Sequence, residues 1–520
     1  MSSIRALAGI CLGIAIAAVP VVGSGEEKAQ PFDFNAVIEK ARQRAGQAYQ
    51  APPEVPQFLQ DLSYNQYQEI RFKPEASLWQ SDNSDFEIMT VTPGMFYGHP
   101  VQLNQVDSEG VREIPFRKSD FTYPTEDLAK RIPADLGYAG FKVTYPLNTP
   151  DTQNQFLVFA GASYFRGVGS ANTFGVSGRG IAVDTGLRSG EEFPNFVEYW
   201  LVRPSADADS MVVYGLLDGP SVTGAYRFEV YPGDQTRVEV RSRLFFRENI
   251  GLLGVAPLTS MFYYGSNTVK PAGEWRPQVH DSDGLLIHDG VSGEWLWRPL
   301  INPRSLRMSY LQTNNVQGFG LMQRDTGFSG YEDMSARYDK RPSAWVEAEG
   351  DWGKGEVVLV EIPTSSEAND NIVAFWRPQT PVESGDELNF GYSVTFGGPD
   401  ITGQPLAPAV QTFLGDGNRL GGGAEAGAYR VIVDFAGGPL DKLDPTAAVV
   451  SKVSGGKSVE VLEHFVEHIG PTDRWRISML VRPAPEQTLA LRAYLSLDNK
   501  PLTETWTYEL PAGEDVRAGR

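Results

Sequence analysis

The chain has 520 residues, of which 41% are hydrophobic and 21% charged, a globular balance that excludes a disordered, collagen-like or multi-span membrane protein. Lys and Arg number 45 against 65 Asp and Glu, for a formal charge of -20. A surface of that sign repels phosphate backbones and anionic lipid, which argues against nucleic-acid and membrane-surface partners, whereas a neutral glycan meets no such penalty.

The chain opens with Arg5, an apolar run from Ala6 to Val22, and small residues at Gly23, Ser24 and Gly25 ahead of Glu26. That order is a secretory signal peptide over residues 1–24, and Pro20 and Gly23 interrupt a run already short for a bilayer span of about 20 residues. There is no twin-arginine pair, so Sec-type export to a Gram-negative periplasm is expected, with no stable membrane insertion after cleavage. The only cysteine, Cys11, lies inside this run. The mature chain therefore has no disulfide and no cysteine cluster for zinc or iron–sulfur.

One helix is expected near the mature start: Asp33 or Asn35 can cap it, and Phe34, Ile38, Ala41, Ala45 and Tyr49 recur at helical spacing until Pro52-Pro53. The rest reads as strand and tight turn, in keeping with 54 Gly and 36 Pro. Tyr226–Tyr231 and Arg237–Phe245 form a hairpin pattern about Pro232-Gly-Asp, and 356–362 and 388–396 follow as strands. A turn-rich linker over 398–408 and glycines from Gly415 to Gly427 come next. Short strands then recur at 429–435, 458–462, 475–481, 489–495 and 503–510. The expected fold is all-β: a large β-sandwich over 25–397, the linker, and a small immunoglobulin-like sandwich over 409–520.

Several motifs lack the context their chemistry needs. His464-Phe-Val-Glu467-His468 has the spacing of a zinc protease, but its flanks read as strand rather than helix. Asp281-Ser-Asp283-Gly284 lacks the remaining ligands of a calcium loop. Gly175-Val-Ser-Gly178-Arg-Gly180 has neither the lysine nor the helix of a phosphate loop. No metal and no cofactor is expected.

Two acidic segments among aromatics remain: Trp275 to His288 with Trp295-Leu-Trp297-Arg298, and Glu367-Ala-Asn-Asp370-Asn371 running into Trp376. Tyr331 and Trp345 lie between them. Glycoside hydrolysis uses such a set, with one carboxylic acid to protonate the leaving oxygen, one carboxylate to activate water, and aromatic faces for sugar C–H surfaces. Asp370 precedes an apolar strand, where desolvation can raise a carboxyl pKa. The same residues also suit Asx turns and structural Trp–Arg packing, and spacing alone leaves both readings open. The candidate substrate contacts are His280, Trp297, Arg298, Tyr331, Trp345 and Trp376.

Gly161-Ala-Ser-Tyr-Phe-Arg166, Gly178-Arg-Gly-Ile-Ala-Val-Asp-Thr-Gly186, Glu191-Glu-Phe-Pro-Asn-Phe196, His280-Asp-Ser-Asp-Gly284, Arg341-Pro-Ser-Ala-Trp345 and Asn369-Asp-Asn-Ile-Val-Ala-Phe-Trp376 resemble the periplasmic glucans biosynthesis family (the OpgG/OpgD family) along essentially the whole mature chain. The resemblance implies a galactose-mutarotase-like supersandwich, an immunoglobulin-like C-terminal sandwich, and a part in making osmoregulated periplasmic glucan with a β-1,2-linked backbone. It is similar as well to inverting endo-β-1,2-glucanases. By motif it gives Asp370 the role of general acid and Asp281 that of base, with Asp283 as the alternative. The implied partners are β-1,2-glucan and the inner-membrane glucan synthase. The other function open at this point is a non-catalytic glucan-binding or scaffold protein of the assembly and export pathway.

Overall fold

The computed structural model describes residues 32–514 except 83, 420 and 421, so the signal peptide read from the sequence lies outside the described residues. The first helix is Phe34–Ala45, and the Asp33 carboxylate accepts from the N–H groups of Asn35 and Ala36 at its start. It ends well before Pro52, because Gly46 follows and its apolar face is already spent: Val37 and Ala41 are buried against Trp200 and Phe245.

The strands expected from alternation and β-branched runs are all present. Val222–Tyr231 and Thr236–Phe246 make the hairpin, with Tyr231 opposite Arg237. Lys354–Glu361, Glu387–Gly397, Arg474–Pro483, Leu489–Leu497 and Thr505–Leu510 follow. The run at 458–462 is the first half of a longer strand, Val459–Ile469. The glycines around 415–427 belong to a hairpin between Ala409–Asn418 and Ala424–Phe435.

The fold is all-β, built among the described residues on sheets of ten, fifteen and four strands with two small ribbons. The ten-stranded sheet carries, side by side, Tyr164–Gly167, Ser177–Arg179, Leu253–Ser260, Ile372–Pro378 and Lys354–Glu361. Its inner face meets the fifteen-stranded sheet across an aromatic core. Phe159 of the ten-stranded sheet packs on Tyr199 and Phe228 of the other at centroid distances of 5.7 and 5.1 Å, and Phe165 packs on Phe228 and Phe396. Ring pairs of this kind contribute about 0.5–1.5 kcal/mol each beyond their buried area. Gly178 is required here, since a Cβ at that position would lie 2.5 Å from the Phe165 ring.

The fifteen-stranded sheet does not stop at the large sandwich. Thr505–Leu510 pairs in parallel with Trp295–Pro299, with Trp297 opposite Trp506, so the sheet continues into the C-terminal region. There the four-stranded sheet packs with it through Trp475, Ile477, Met479, Leu491, Leu495 and Trp506. A buried ion pair reinforces the junction. Arg324 donates to both oxygens of Glu504, at 2.5 and 2.9 Å, and its guanidinium lies 3.5 Å from the Trp297 ring centroid. Glu504 also accepts from Gln404, within the turn-rich segment, and from the N–H of Ala409 just after it.

Glu504→Ala leaves the Arg324 guanidinium buried without its counter-charge. A loss of about 3–5 kcal/mol in urea unfolding is expected, with Glu504→Gln losing less. Full retention of stability by both variants would show that the pair does not hold the junction.

Candidate active site

Both acidic segments hang from three residues at the end of strand Leu253–Ser260. The N–H of Asp281 donates to the carbonyl of Met261 at 2.8 Å, and Phe262 pairs with His280. The N–H of Asn371 donates to the carbonyl of Ser260 at 3.1 Å. The buried Asn371 carboxamide accepts from Phe262 N–H at 2.8 Å and donates to the carbonyls of Phe262 and Ile362, each at 3.0 Å. The Ser260 hydroxyl meets that of Ser282 at 2.8 Å. Asp281 therefore sits between two fully buried residues, His280 and Ser282, and Asp370 immediately precedes a third anchored one.

The two carboxylates end in different surroundings. Asp281 is 8% exposed, and burial, together with the charge of Asp370, outweighs the guanidinium of Arg341 and raises its pKa to about 6. Arg341 Nε lies 3.3 Å from Asp281 Oδ1, and neither atom has a hydrogen-bond partner. Asp370 is open to solvent, its side chain 38% exposed, with the Arg166 guanidinium 3.6 Å away. Arg166 is aimed by its Nε, which donates to the Ser177 hydroxyl at 2.6 Å. On one strand face Tyr164 and Arg166 stand two residues apart, and Asp370 and Arg166 both act on the Tyr164 phenol.

The structure thus unites Asp281 and Asp370. It does not unite them with Asp283, whose carboxylate instead accepts from the N–H groups of Arg324 and Asp325. Asp283 is a turn-capping residue that lines a small recess with Trp297, Arg324 and Gln411 toward the four-stranded sheet.

The expected sugar contacts are corrected. Trp297 and Trp345 lie in the core shared with the C-terminal sheet, Trp345 stacked on Trp295 at 5.6 Å. Trp376 is packed against Trp352 and Phe390 in the main core. None of the three has an open ring face, because both sides of these strands are covered. Arg298 pairs with Glu509 at 3.1 Å beside the buried Glu361, again at the junction. His280 and Tyr331 are fully buried under the site, where Gln323 bonds both: His280 Nδ1 meets its Oε1 at 3.0 Å, and its Nε2 donates to the Tyr331 hydroxyl at 2.9 Å. They support the Asp281 segment from below. Sequence reasoning missed Arg166, Arg341 and Asn371 as functional residues, although all three stand in the strings that carry the resemblance.

His464 and His468 lie on strand Val459–Ile469, where His464 bonds Ser451 and His468 bonds Asp473. Among the described residues no group of three or more His, Cys, Asp and Glu is placed to hold a metal ion.

Fold and site define an all-β protein with stacked sheets and a paired-carboxylate site at the strand ends of one sheet. Residues 32–510 match the family described as periplasmic glucan biosynthesis protein, MdoG. The chain is 43% identical over 492 residues to Glucans biosynthesis protein G of Ralstonia nicotianae, covering 94% of this chain and 97% of that protein. It is 42% identical over 493 residues to Glucans biosynthesis protein G of Dickeya dadantii, covering 93% and 94%. The chain belongs to the periplasmic glucan biosynthesis family.

A buried carboxyl with a raised pKa makes a stability prediction. The folded pKa of Asp281, about 6, stands above an unfolded value near 4, so its contribution to stability is full below about pH 4 and is lost as pH rises through 6. Asp281→Asn removes that loss. It should stabilise the protein by up to about 3 kcal/mol at pH 8 and by little at pH 4, measured by urea unfolding at both pH values.

Proposed function

We propose that this protein works in the periplasm in the biosynthesis of a β-1,2-linked glucan, which it cleaves or sizes as an inverting endo-glucanase. The observation that carries this reading is the convergence of Asp281 and Asp370 on one strand end, the first buried and the second at the surface. Two carboxyl groups in unlike surroundings are what acid–base cleavage of a glycosidic bond requires. The relatives' names supply the glucan, and the acidic surface suits an uncharged polymer.

In this reading Asp370 gives its proton to the linkage oxygen as the C1–O bond breaks. Water attacks C1 from the opposite face, and its proton passes to Asp281 directly or along sugar hydroxyls. With a pKa of about 6, Asp281 is chiefly a carboxylate at neutral pH and a stronger base than a free aspartate. Arg341 limits that rise and keeps the base ionised. The new reducing end has the α configuration, and solvent returns the protons to their starting places. Export by the leader at 1–24 and receipt of nascent chain from the inner-membrane glucan synthase complete the proposal.

Pure protein with linear β-1,2-glucan should release shorter oligomers whose new ends are α by NMR. Asp370→Asn should lower the rate by at least about a thousandfold, a loss within the range for removing a general acid. The acid limb of kcat/KM should fall below about pH 6, where Asp281 takes up a proton. If wild-type protein at high loading leaves the glucan intact while calorimetry shows binding that survives Asp370→Asn, the protein is a glucan-binding scaffold instead.

A further inference from the structure

Two large exposed aromatic side chains stand on loops that side-chain contacts link to Asp370, and each loop is pinned by buried or half-buried charge. Trp275 is 65% exposed. Its neighbour Arg276 is almost enclosed and binds three carboxylates: Glu274 at 2.8 Å, Asp333 at 3.0 Å and Glu367 at 2.6 Å. Glu367 lies three residues before Asp370, so this network joins the Trp275 loop to the loop that carries Asp370. The N–H of Trp275 itself donates to Glu274 at 2.9 Å.

The second ring, Phe193, is 48% exposed and is reached from Asp370 through Arg166 rather than through Glu367. Arg179, only 2% exposed, lies between the rings of Tyr164 and Phe193, 4.9 and 5.1 Å from their centroids. Glu191 accepts from Arg179 at 2.6 Å and from the Thr185 hydroxyl at 2.7 Å, which ties down the loop. Tyr164 is paired with Arg179 across the sheet and stands two residues from Arg166, the partner of Asp370. A chain of contacts thus runs from Phe193 through Arg179, Tyr164 and Arg166 to Asp370, and a second runs from the Asp370 loop through Glu367 and Arg276 to the Trp275 loop.

Ion-pair networks that hold an aromatic ring rigidly in water gain nothing for the core. They do remove in advance the ordering cost of a contact with a ligand. The ring faces are electron-rich, and the matching surface is the C–H face of a pyranose, which is weakly positive and apolar. We propose that Trp275 and Phe193 are the two sugar platforms of this site, each stacking on a glucose ring, on opposite sides of the linkage that lies against Asp370. The inference rests on the glucan reading of the site and adds to it the residues that hold the chain. Platforms on both sides fit a polymer bound through its interior rather than by one end.

The test uses the Asp370→Asn protein, which keeps substrate from being consumed, and linear β-1,2-glucan oligosaccharides of graded length in a calorimeter. Trp275→Ala and Phe193→Ala should each weaken binding of long oligomers by roughly tenfold, the size of one aromatic contact. Trp275→Phe should recover most of that loss, and oligomers too short to reach a platform should be indifferent to its removal. Unchanged melting temperatures would exclude a folding effect, as the exposure of both rings leads one to expect. If the parent protein binds long glucan and both alanine variants bind it within twofold, the platforms are wrong and the glucan site stands. If the parent binds no glucan at any length, the glucan reading falls, and the platforms fall with it.

Discussion

The carboxamide of Asn371 ties the Asp370 loop to the end of the central strand. It makes three hydrogen bonds in a buried setting, two to the backbone of Phe262 and one to that of Ile362. Leaving such a group unsatisfied costs about 1–3 kcal/mol per lost partner, so the Asp370 loop cannot lift from the strand end without a large penalty. Ser260 adds a second tie, since its carbonyl takes the Asn371 N–H and its hydroxyl meets Ser282 beside Asp281. Two segments far apart in the chain thereby share one anchor. Their carboxylates act on each other because neither can move away.

That anchor is only as firm as the sheet behind it. The ten-stranded sheet is backed by the aromatic lattice of Phe159, Phe165, Phe228 and Phe396, which fixes its strands against the second sheet. The second sheet is in turn extended into the C-terminal region, with Arg324 and Glu504 closed over the junction. Carboxylates carried on loops keep a fixed geometry only on a rigid scaffold of this kind. The buried Asp281 works against stability above its pKa, and the extensive core makes that tolerable.

Much of the scaffold is legible without coordinates. Period-two alternation locates the strands from Val222–Tyr231 to Thr505–Leu510, and Asp33 marks the helix start. The tryptophans were harder. Trp297, Trp345 and Trp376 stand on strands covered on both faces, where a large ring is core rather than platform, and no local pattern separates the two cases. Trp275 differs, lying in the loop sequence Pro271-Ala-Gly-Glu-Trp275, and loops run at the surface. That context was the available signal for an exposed ring. Arg166 and Arg341 gave no such sign, because an arginine's partner depends on which strands are neighbours.

The amino-acid order alone determined the all-β class, the strand positions, the acidic character and the strings that mark the family. All of these depend on composition and on spacings of a few residues, which the chain displays directly. Only the tertiary structure decided that Asp281 and Asp370 come near enough to influence each other, that Arg341 and Arg166 face them, and that the strand tryptophans turn inward. Those outcomes follow from sheet order and from which side of each strand is covered, relations between residues far apart in the chain that local pattern does not encode.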